Sequence, residues 1–254
     1  MKITIHTLWP IHVDYPLWRE QIKKYRDLFH EVFVSLSNNH RKEDYTIWLK
    51  EVLSPLGIHV LDPIERSEGE DWRDKPTRMA YGHFTGNWIW FTEEDFFIKD
   101  ESFFDKVFEA MEKYDCIGYR EGSRLHPSCL FVRKELSDGI KKDFSANPGE
   151  WDHFQRFGDE IERNGRVITI QDLGLERNKD FIHMTGLTNN FDRVESGIPP
   201  TSSQEFLTYC YFAQKVKPQN PIFLEILQGV ENVFGSYDAG NLLFKGLGKV
   251  GPVK

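Results

Sequence analysis

The sequence predicts an α/β fold with a mainly parallel central sheet flanked by helices, followed by a small helical appendage. Short apolar or alternating segments typical of strands take turns with segments whose apolar residues recur at helical spacing. This order implies βαβ units, which build a mainly parallel sheet. The chain of 254 residues is long enough for one sizeable core, and its pattern changes to helices alone beyond about Gly197.

The predicted strands are short, and helical or turn-forming segments separate them. The segment from Asn87 to Phe91, with the sequence NWIWF, is apolar almost throughout and predicts a buried strand. The other predicted strands are Ile3 to Leu8, Glu31 to Ser37, Ile58 to Leu61, Cys116 to Tyr119, Cys129 to Val132 and Val167 to Ile170.

The predicted helices each carry an apolar face. In the first, which follows Pro16, the side chains of Trp18, Ile22 and Tyr25 recur at helical spacing. The others are Tyr45 to Leu53, Thr77 to Phe84, Ser102 to Tyr114, Glu150 to Asn164, Phe206 to Val216 and Pro221 to Val233.

The division into domains follows from the loop-forming run Pro199-Pro200-Thr201-Ser202-Ser203. We predict a main domain of residues 1–197 and a helical extension of residues 198–254 that packs on it. The extension ends in a Gly- and Lys-rich segment from Gly240, which we expect to be a loose tail.

Composition and charge exclude several classes of protein. The formal net charge of −8 argues against a general nucleic-acid binder, which needs a basic face. Cys116, Cys129 and Cys210 are too far apart for a metal motif, and their odd number suits a reducing compartment. Because we find neither a signal peptide nor a transmembrane run, we expect a cytoplasmic protein. No glycine precedes Gly57, which excludes a P-loop or a dinucleotide-binding loop after the first strand.

An acidic turn, Thr92-Glu93-Glu94-Asp95, directly follows the buried strand NWIWF. Open α/β folds bind their ligands at the carboxyl ends of their strands. Carboxylates placed close together repel each other unless they share a cation, and oxygen ligands suit Mg²⁺ or Mn²⁺. The alternative is a solvated acidic turn that caps the helix near Ser102.

In this region the sequence resembles the GT-A fold glycosyltransferases, above all the family-2-like group. That group has a short helix, a Gly turn, an apolar strand and an Asp-x-Asp motif. Here a helix through Arg78 and the turn at Gly86 precede NWIWF, and Glu93 and Asp95 stand at the two acidic positions. The resemblance covers roughly Met1 to Thr188, and it implies a metal-dependent domain with Mn²⁺ or Mg²⁺ on Asp95 and Glu93.

The resemblance also implies a set of residues that bind a nucleotide-sugar donor. Thr7 and Leu8, at the end of the first strand, and Asp62, after the third, would hold the base and ribose, and Glu94 would join the donor site. Arg78 stands near the family's diphosphate-contacting arginine, one place off the ideal spacing. Alternatively, Arg78 is a helix-surface charge and Asp62 forms an Asp-Pro turn.

Two further residues take roles from the same resemblance. Asp152, at the start of a predicted helix, would be the general base that deprotonates the acceptor hydroxyl, or alternatively an acid that stabilises the helix dipole. His183, after the last predicted strand, would be an additional metal ligand, or alternatively a structural histidine.

Together these residues favour a glycosyltransferase that moves a sugar from a nucleotide-sugar to an acceptor hydroxyl with inversion. A glycan or a lipid-linked molecule is the expected acceptor. The segment Leu242 to Lys249 could contact a membrane weakly, unless it is simply a frayed terminus. Two other functions stay open: a non-catalytic nucleotide- or carbohydrate-binding protein, and a metal-dependent nucleotidyltransferase.

Overall fold

The computed structural model describes most of the first 184 residues and a few residues beyond them. The described residues are 1–9, 15–36, 43–62, 73–147, 150, 152–184, 186, 187, 190, 191, 193, 206, 209, 210 and 213, with the backbone alone at 43–45.

In the described part of the chain, seven strands form the central sheet, in the order β3–β2–β1–β4–β7–β6–β8, and two more, β5 and β9, form an antiparallel ribbon. Every pairing in the central sheet is parallel except those of β7, which runs antiparallel to β4 and β6. The predicted, mainly parallel sheet is therefore confirmed. The strands are β1 (Ile3–Trp9), β2 (Glu31–Leu36), β3 (Ile58–Leu61), β4 (Trp88–Thr92), β5 (Phe96–Ile98), β6 (Cys116–Glu121), β7 (Arg124–Arg133), β8 (Val167–Thr169) and β9 (Phe181–His183).

Helices flank this sheet, as the sequence predicts. The first begins at Pro16, whose fixed φ suits the first helical turn, and buries Trp18, Ile22 and Tyr25. The helices are α1 (Pro16–Tyr25), α2 (Glu43–Leu53), α3 (Asp74–Tyr81), α4 (Ser102–Ala110), α5 (Lys134–Gly139) and α6 (Gln155–Asn164), with short 3-10 turns at Arg26–Leu28 and Ser54–Leu56.

The structure differs from the prediction at two places that matter for the site. Helix α6 begins at Gln155 and not at Glu150, because Phe154 adopts a left-handed conformation with φ of 65°. Strands β6 and β7 are longer than predicted and form a hairpin around Gly122, which has φ of 61°. The polar residues of this hairpin interrupt the apolar pattern from which its strands were predicted.

Strand β4 supplies both faces of the sheet with core residues. Trp88 and Trp90 pack in the cluster on one face, and Ile89 and Phe91 pack in the cluster on the other. The ring of Trp90 stacks on Phe131 of β7 with centroids 4.9 Å apart. This double burial explains why NWIWF is apolar at consecutive positions, as expected for a strand covered on both faces.

Four described residues of the predicted extension belong to the core. Phe206, Tyr209, Cys210 and Ala213 are buried in the first cluster, at a spacing that follows one face of a helix. The predicted helix Pro221 to Val233 and the tail from Gly240 lie outside the described residues. Among the helices of the described part, none is long and apolar enough to cross a bilayer.

A hydrogen-bond network joins β1, β2 and the turn before β4 at the opposite edge of the sheet from the acidic turn. Glu31 accepts hydrogen bonds from the hydroxyls of Thr4 (2.7 Å) and Thr85 (2.6 Å), and Thr4 Oγ1 accepts one from the Gly86 amide at 3.0 Å. A Cβ atom on Gly86 would lie 2.6 Å from Thr4 Oγ1 and 2.9 Å from the Lys2 carbonyl oxygen. The close approach of these chains therefore requires glycine.

We predict that Gly86→Ala lowers the free energy of unfolding by about 1–3 kcal/mol, because the added methyl group forces β1 and the turn apart. Denaturant unfolding measures the change. The matched control is Gly139→Ala, where a Cβ would meet no atom within 4 Å. A Gly86→Ala protein as stable as this control would contradict the packing described.

Candidate functional site

The candidate site lies where β4 ends at the carboxyl edge of the sheet. Thr92 is its last residue and pairs with Cys129 of β7, and the Thr92 hydroxyl donates to the Ser128 carbonyl oxygen at 3.0 Å. Glu93 therefore leaves the sheet beside Ser128. The acidic turn and the first half of β7 share one edge because the two strands are antiparallel.

An irregularity in the hairpin turns two side chains of β7 toward Glu93. The register between β6 and β7 shifts between Gly118, which pairs with Leu130, and Tyr119, which pairs with His126. Such bulges redirect side chains, and they also accommodate a strand proline such as Pro127. As a result, the Ser128 hydroxyl contacts His126 Nδ1 at 2.6 Å and also bonds to the Glu93 carboxylate.

The β5–β9 ribbon brings the side chains of Asp95 and His183 to the same edge. Phe96 pairs with His183, and the Met184 amide donates to the Asp95 carbonyl oxygen at 3.0 Å. The ring of Phe96 stacks on Phe181 with centroids 5.0 Å apart, which packs the ribbon firmly. His183 Nε2 consequently lies 2.9 Å from Ser128 Oγ and 3.6 Å from Asp95 Oδ1.

Glu93, His126 and His183 form a candidate metal site. Each offers one ligand atom, and these atoms lie within 4.8 Å of one another. The Ser128 hydroxyl lies within hydrogen-bond distance of all three. The other ring nitrogen of His126 lies 3.2 Å from Glu121 Oε2, the kind of partner that orients a metal-binding imidazole.

Burial shifts the pKa values of the groups in and beside the candidate metal site. It lowers the pKa of both His126 and His183 to about 4, so both rings are neutral at pH 7 and can offer a lone pair. Burial, followed by the charges of Glu93 and Glu94, raises the pKa of Asp95 well above its usual value. A nearby cation would reverse this effect on Asp95.

Two buried polar atoms beside the cluster lack hydrogen bonds. Within the described part of the chain, neither Asp95 Oδ1 nor His183 Nδ1 makes a hydrogen bond, although His183 Nε2 lies 3.6 Å from Asp95 Oδ1. An unsatisfied buried polar group costs about 1–3 kcal/mol, so natural proteins rarely keep one without a reason. A ligand that reaches Asp95 would remove part of this cost.

The same pocket extends from the metal cluster to a group of basic and acidic side chains. Its volume is about 170 Å³, and Asp152, His153, Arg73 and Arg124 line it together with Glu93, Asp95, His126 and His183. Asp152 lies on the loop before α6, where its carboxylate pairs with Arg124 at 2.9 Å and with Arg73 at 3.9 Å. The structure thus brings four of the predicted site residues into one pocket: Glu93, Asp95, His183 and Asp152.

The other five predicted residues do not line this pocket. Thr7 and Leu8 lie near the carboxyl end of β1, where Thr7 pairs with Thr92, so they share an edge with the site.

Asp62 is 74% exposed and pairs with Lys50 at 2.5 Å. Arg78 lies on the surface of α3, paired with Asp74, and Glu94 is buried within the acidic turn. Their roles in donor binding stay predictions, since the loops after β1, β2 and β3 (10–14, 37–42 and 63–72) lie outside the described residues.

Sequence reasoning did not single out His126, Ser128, Arg124, Arg73 or His153. A signal for three of them exists, since Arg124, His126 and Ser128 alternate along RLHPS just after a glycine turn. Alternation in a strand places them on one face. Arg73 and His153 have no comparable signal, because each reaches the pocket from a loop adjoining a helix.

Several solved structures have a fold similar to that of this chain. No family model matches the sequence, and no curated protein matches it either. The mannosyltransferase PcManGT from Pyrobaculum calidifontis, solved with GDP-Man and Mn²⁺, is 16% identical with a TM-score of 0.49, over 95% of this chain and 74% of that one. Glucosyl-3-phosphoglycerate synthase from Mycobacterium tuberculosis, with Mn²⁺ and UDP-glucose, is 14% identical with a TM-score of 0.45, over 79% and 80%.

TarS from S. aureus gives a TM-score of 0.51 at 13% identity, over 96% of this chain. The chain spans 44% of the length of TarS. At these identities the similarity establishes the architecture alone. The chain shares the GT-A-like α/β fold with TarS.

Proposed function

We propose that this protein is a metal-dependent glycosyltransferase that moves a sugar from a nucleoside-diphosphate sugar to an acceptor hydroxyl with inversion. One observation carries the proposal: Glu93, His126 and His183 converge beside Asp95, in a pocket that also holds Asp152, at the carboxyl end of β4. Ligands of open α/β folds bind at this edge, at strand ends.

The residues present fit a divalent cation. Glu93, His126 and His183 would hold it, with Asp95 close enough to join them through Oδ1, which makes no hydrogen bond among the described residues. Two imidazoles and two carboxylates form a mixed nitrogen and oxygen set, which suits Mn²⁺ better than Mg²⁺, since Mg²⁺ favours oxygen ligands and retained water. When bound, the ion would act as a Lewis acid that neutralises charge on the departing nucleoside diphosphate.

Asp152 is the candidate general base. Its carboxylate borders the pocket and is 55% exposed, so an acceptor hydroxyl can approach it. The amide of Asp152 donates to Gln155 Oε1 at 3.1 Å, and its carbonyl oxygen accepts from the Gln155 amide at 3.0 Å. These bonds fix the backbone of Asp152 at the start of α6. A base on the opposite side of the sugar from the leaving group gives a single displacement, hence inversion.

The first prediction concerns the metal. We expect wild-type protein to bind Mn²⁺ more tightly than Mg²⁺, and His126→Ala to weaken Mn²⁺ binding by about tenfold or more, because one imidazole ligand is lost. Electron paramagnetic resonance of free Mn²⁺ measures Mn²⁺ binding without any assay of turnover. Because Mg²⁺ gives no such signal, its affinity is measured by how well it displaces bound Mn²⁺.

The control variant is His59→Ala, which removes an exposed imidazole from β3. If Mn²⁺ affinity were the same in His126→Ala, His183→Ala and this control, the proposed ligand set would be wrong.

A second prediction separates chemistry from binding at Asp152. We expect Asp152→Asn to keep the affinity for a nucleoside diphosphate with Mn²⁺ and to lower turnover by about 10²-fold or more, the usual scale for loss of a general base. Release of nucleoside diphosphate from a panel of nucleotide-sugars reports turnover, and calorimetry reports affinity.

Asp159→Asn, on α6 and outside the pocket lining, is the matched control. Turnover of Asp152→Asn equal to that of the control would remove Asp152 from the mechanism. Tight binding of nucleoside diphosphate without any transfer by wild-type protein would favour a non-catalytic binding role instead.

A further inference from the structure

Two arginines form ion pairs with the Asp152 carboxylate, one at each of its oxygens. Arg124 Nη2 lies 2.9 Å from Oδ2, and Arg73 Nη1 lies 3.9 Å from Oδ1. Arg124 is the first residue of β7, and Arg73 directly precedes α3, so regular elements anchor both arginines. Asp152 itself lies on a loop and is more exposed than either arginine.

The two guanidinium groups can hold an anionic group between them. Guanidinium groups present several N–H donors in a fixed plane and bind carboxylate and phosphate oxygens strongly. The space between Arg73 and Arg124 already accommodates one carboxylate, that of Asp152. A phosphate group carries more negative charge than a carboxylate and has more acceptor oxygens, so it can compete for the same donors.

His153 supplies a second observation that points to a ligand. The side chain is more than nine-tenths buried and lines the same pocket, yet its Nε2 has no hydrogen-bond partner in the described part of the chain. Burial, followed by the charge of Arg73, lowers the pKa of His153 well below its usual value, so the ring is neutral. A neutral imidazole protonated at Nε2 can still donate one hydrogen bond to an anionic oxygen.

We propose that Arg73, Arg124 and His153 form a subsite for a phosphate group carried by the acceptor. This assignment rests on the proposed function, in which Asp152 takes the proton of the acceptor hydroxyl. Groups in direct contact with Asp152 therefore border the acceptor, while the metal cluster borders the donor. The substrate class is a phosphorylated acceptor with a free hydroxyl close to its phosphate.

The subsite also couples binding to catalysis. A phosphate that enters between the guanidiniums replaces the Asp152 carboxylate as their partner. The carboxylate is then free to accept a hydrogen bond from the acceptor hydroxyl, and the proton passes to it as the sugar is transferred. Before an acceptor binds, the Asp152 carboxylate stays paired with the two arginines.

Inorganic phosphate is the probe, titrated into the 254-residue protein in EDTA and followed by calorimetry and by thermal shift. We expect saturable binding that Arg124→Gln weakens by about tenfold, as for loss of one charge-assisted hydrogen bond. Asp152→Asn should tighten phosphate binding, because it removes the competing carboxylate. The control, Arg163→Gln, alters an exposed arginine of α6 and should leave binding unchanged.

Nucleoside diphosphate with Mn²⁺, titrated into the same variants, distinguishes the two sources of phosphate. If the subsite binds a phosphate of the acceptor, Arg124→Gln keeps its affinity for nucleoside diphosphate within about twofold of wild type. Its affinity for inorganic phosphate falls. An equal loss for both ligands would assign the arginines to the donor diphosphate and overturn the proposal.

The remaining outcomes are also decisive. Absence of saturable phosphate binding by folded wild-type and Asp152→Asn proteins would overturn the subsite while leaving the proposed function intact. Phosphate binding without any binding of nucleoside diphosphate and Mn²⁺ would contradict the proposed function, and the acceptor assignment with it. Thermal melting of each variant shows that the protein tested is folded.

Discussion

The position of β4 between a parallel and an antiparallel neighbour is the constraint on which the site depends. Its parallel pairing with β1 places the acidic turn at the edge where β1, β2 and β3 also end. Its antiparallel pairing with β7 brings the beginning of that strand to the same edge. Because of this single reversal, His126 and Ser128 meet Glu93, although more than thirty residues separate them along the chain.

The same strand gives the site its rigidity. Trp90 and Phe91 anchor β4 in the two cores, and Trp90 stacks on β7. The ribbon of β5 and β9 is held by its own stacked rings. Three of the candidate metal ligands thus stand on or directly beside buried, hydrogen-bonded strands, which suits a site that must keep its geometry without the ion. Asp152, in contrast, is carried by a loop, as suits a group that changes partners.

Charge divides the pocket into two ends. Carboxylates and neutral imidazoles face each other at the β4 end, where burial, followed by repulsion from Glu93 and Glu94, raises the pKa of Asp95 and a nearby cation would lower it. At the other end, Arg73 and Arg124 pair with Asp152, and their positive charges would attract an anion. Under the functions proposed above, a chain with a net charge of −8 would bind one phosphate-bearing molecule through a metal ion and another through guanidiniums.

Local patterns in the sequence determined the elements and the place of the acidic turn. Periodicity identified the buried strand NWIWF, and Glu93 and Asp95 could be assigned to its carboxyl end without knowledge of other strands. The alternation along RLHPS indicates only that Arg124, His126 and Ser128 share a face. The meeting of His126 with Glu93 could not be predicted, because it depends on a register shift in the hairpin of β6 and β7. Asp152 and Arg73 meet only through packing of the loops before α6 and α3. Strand order, register and loop packing are set by contacts between distant segments, so the tertiary structure alone decided which charged residues share the pocket.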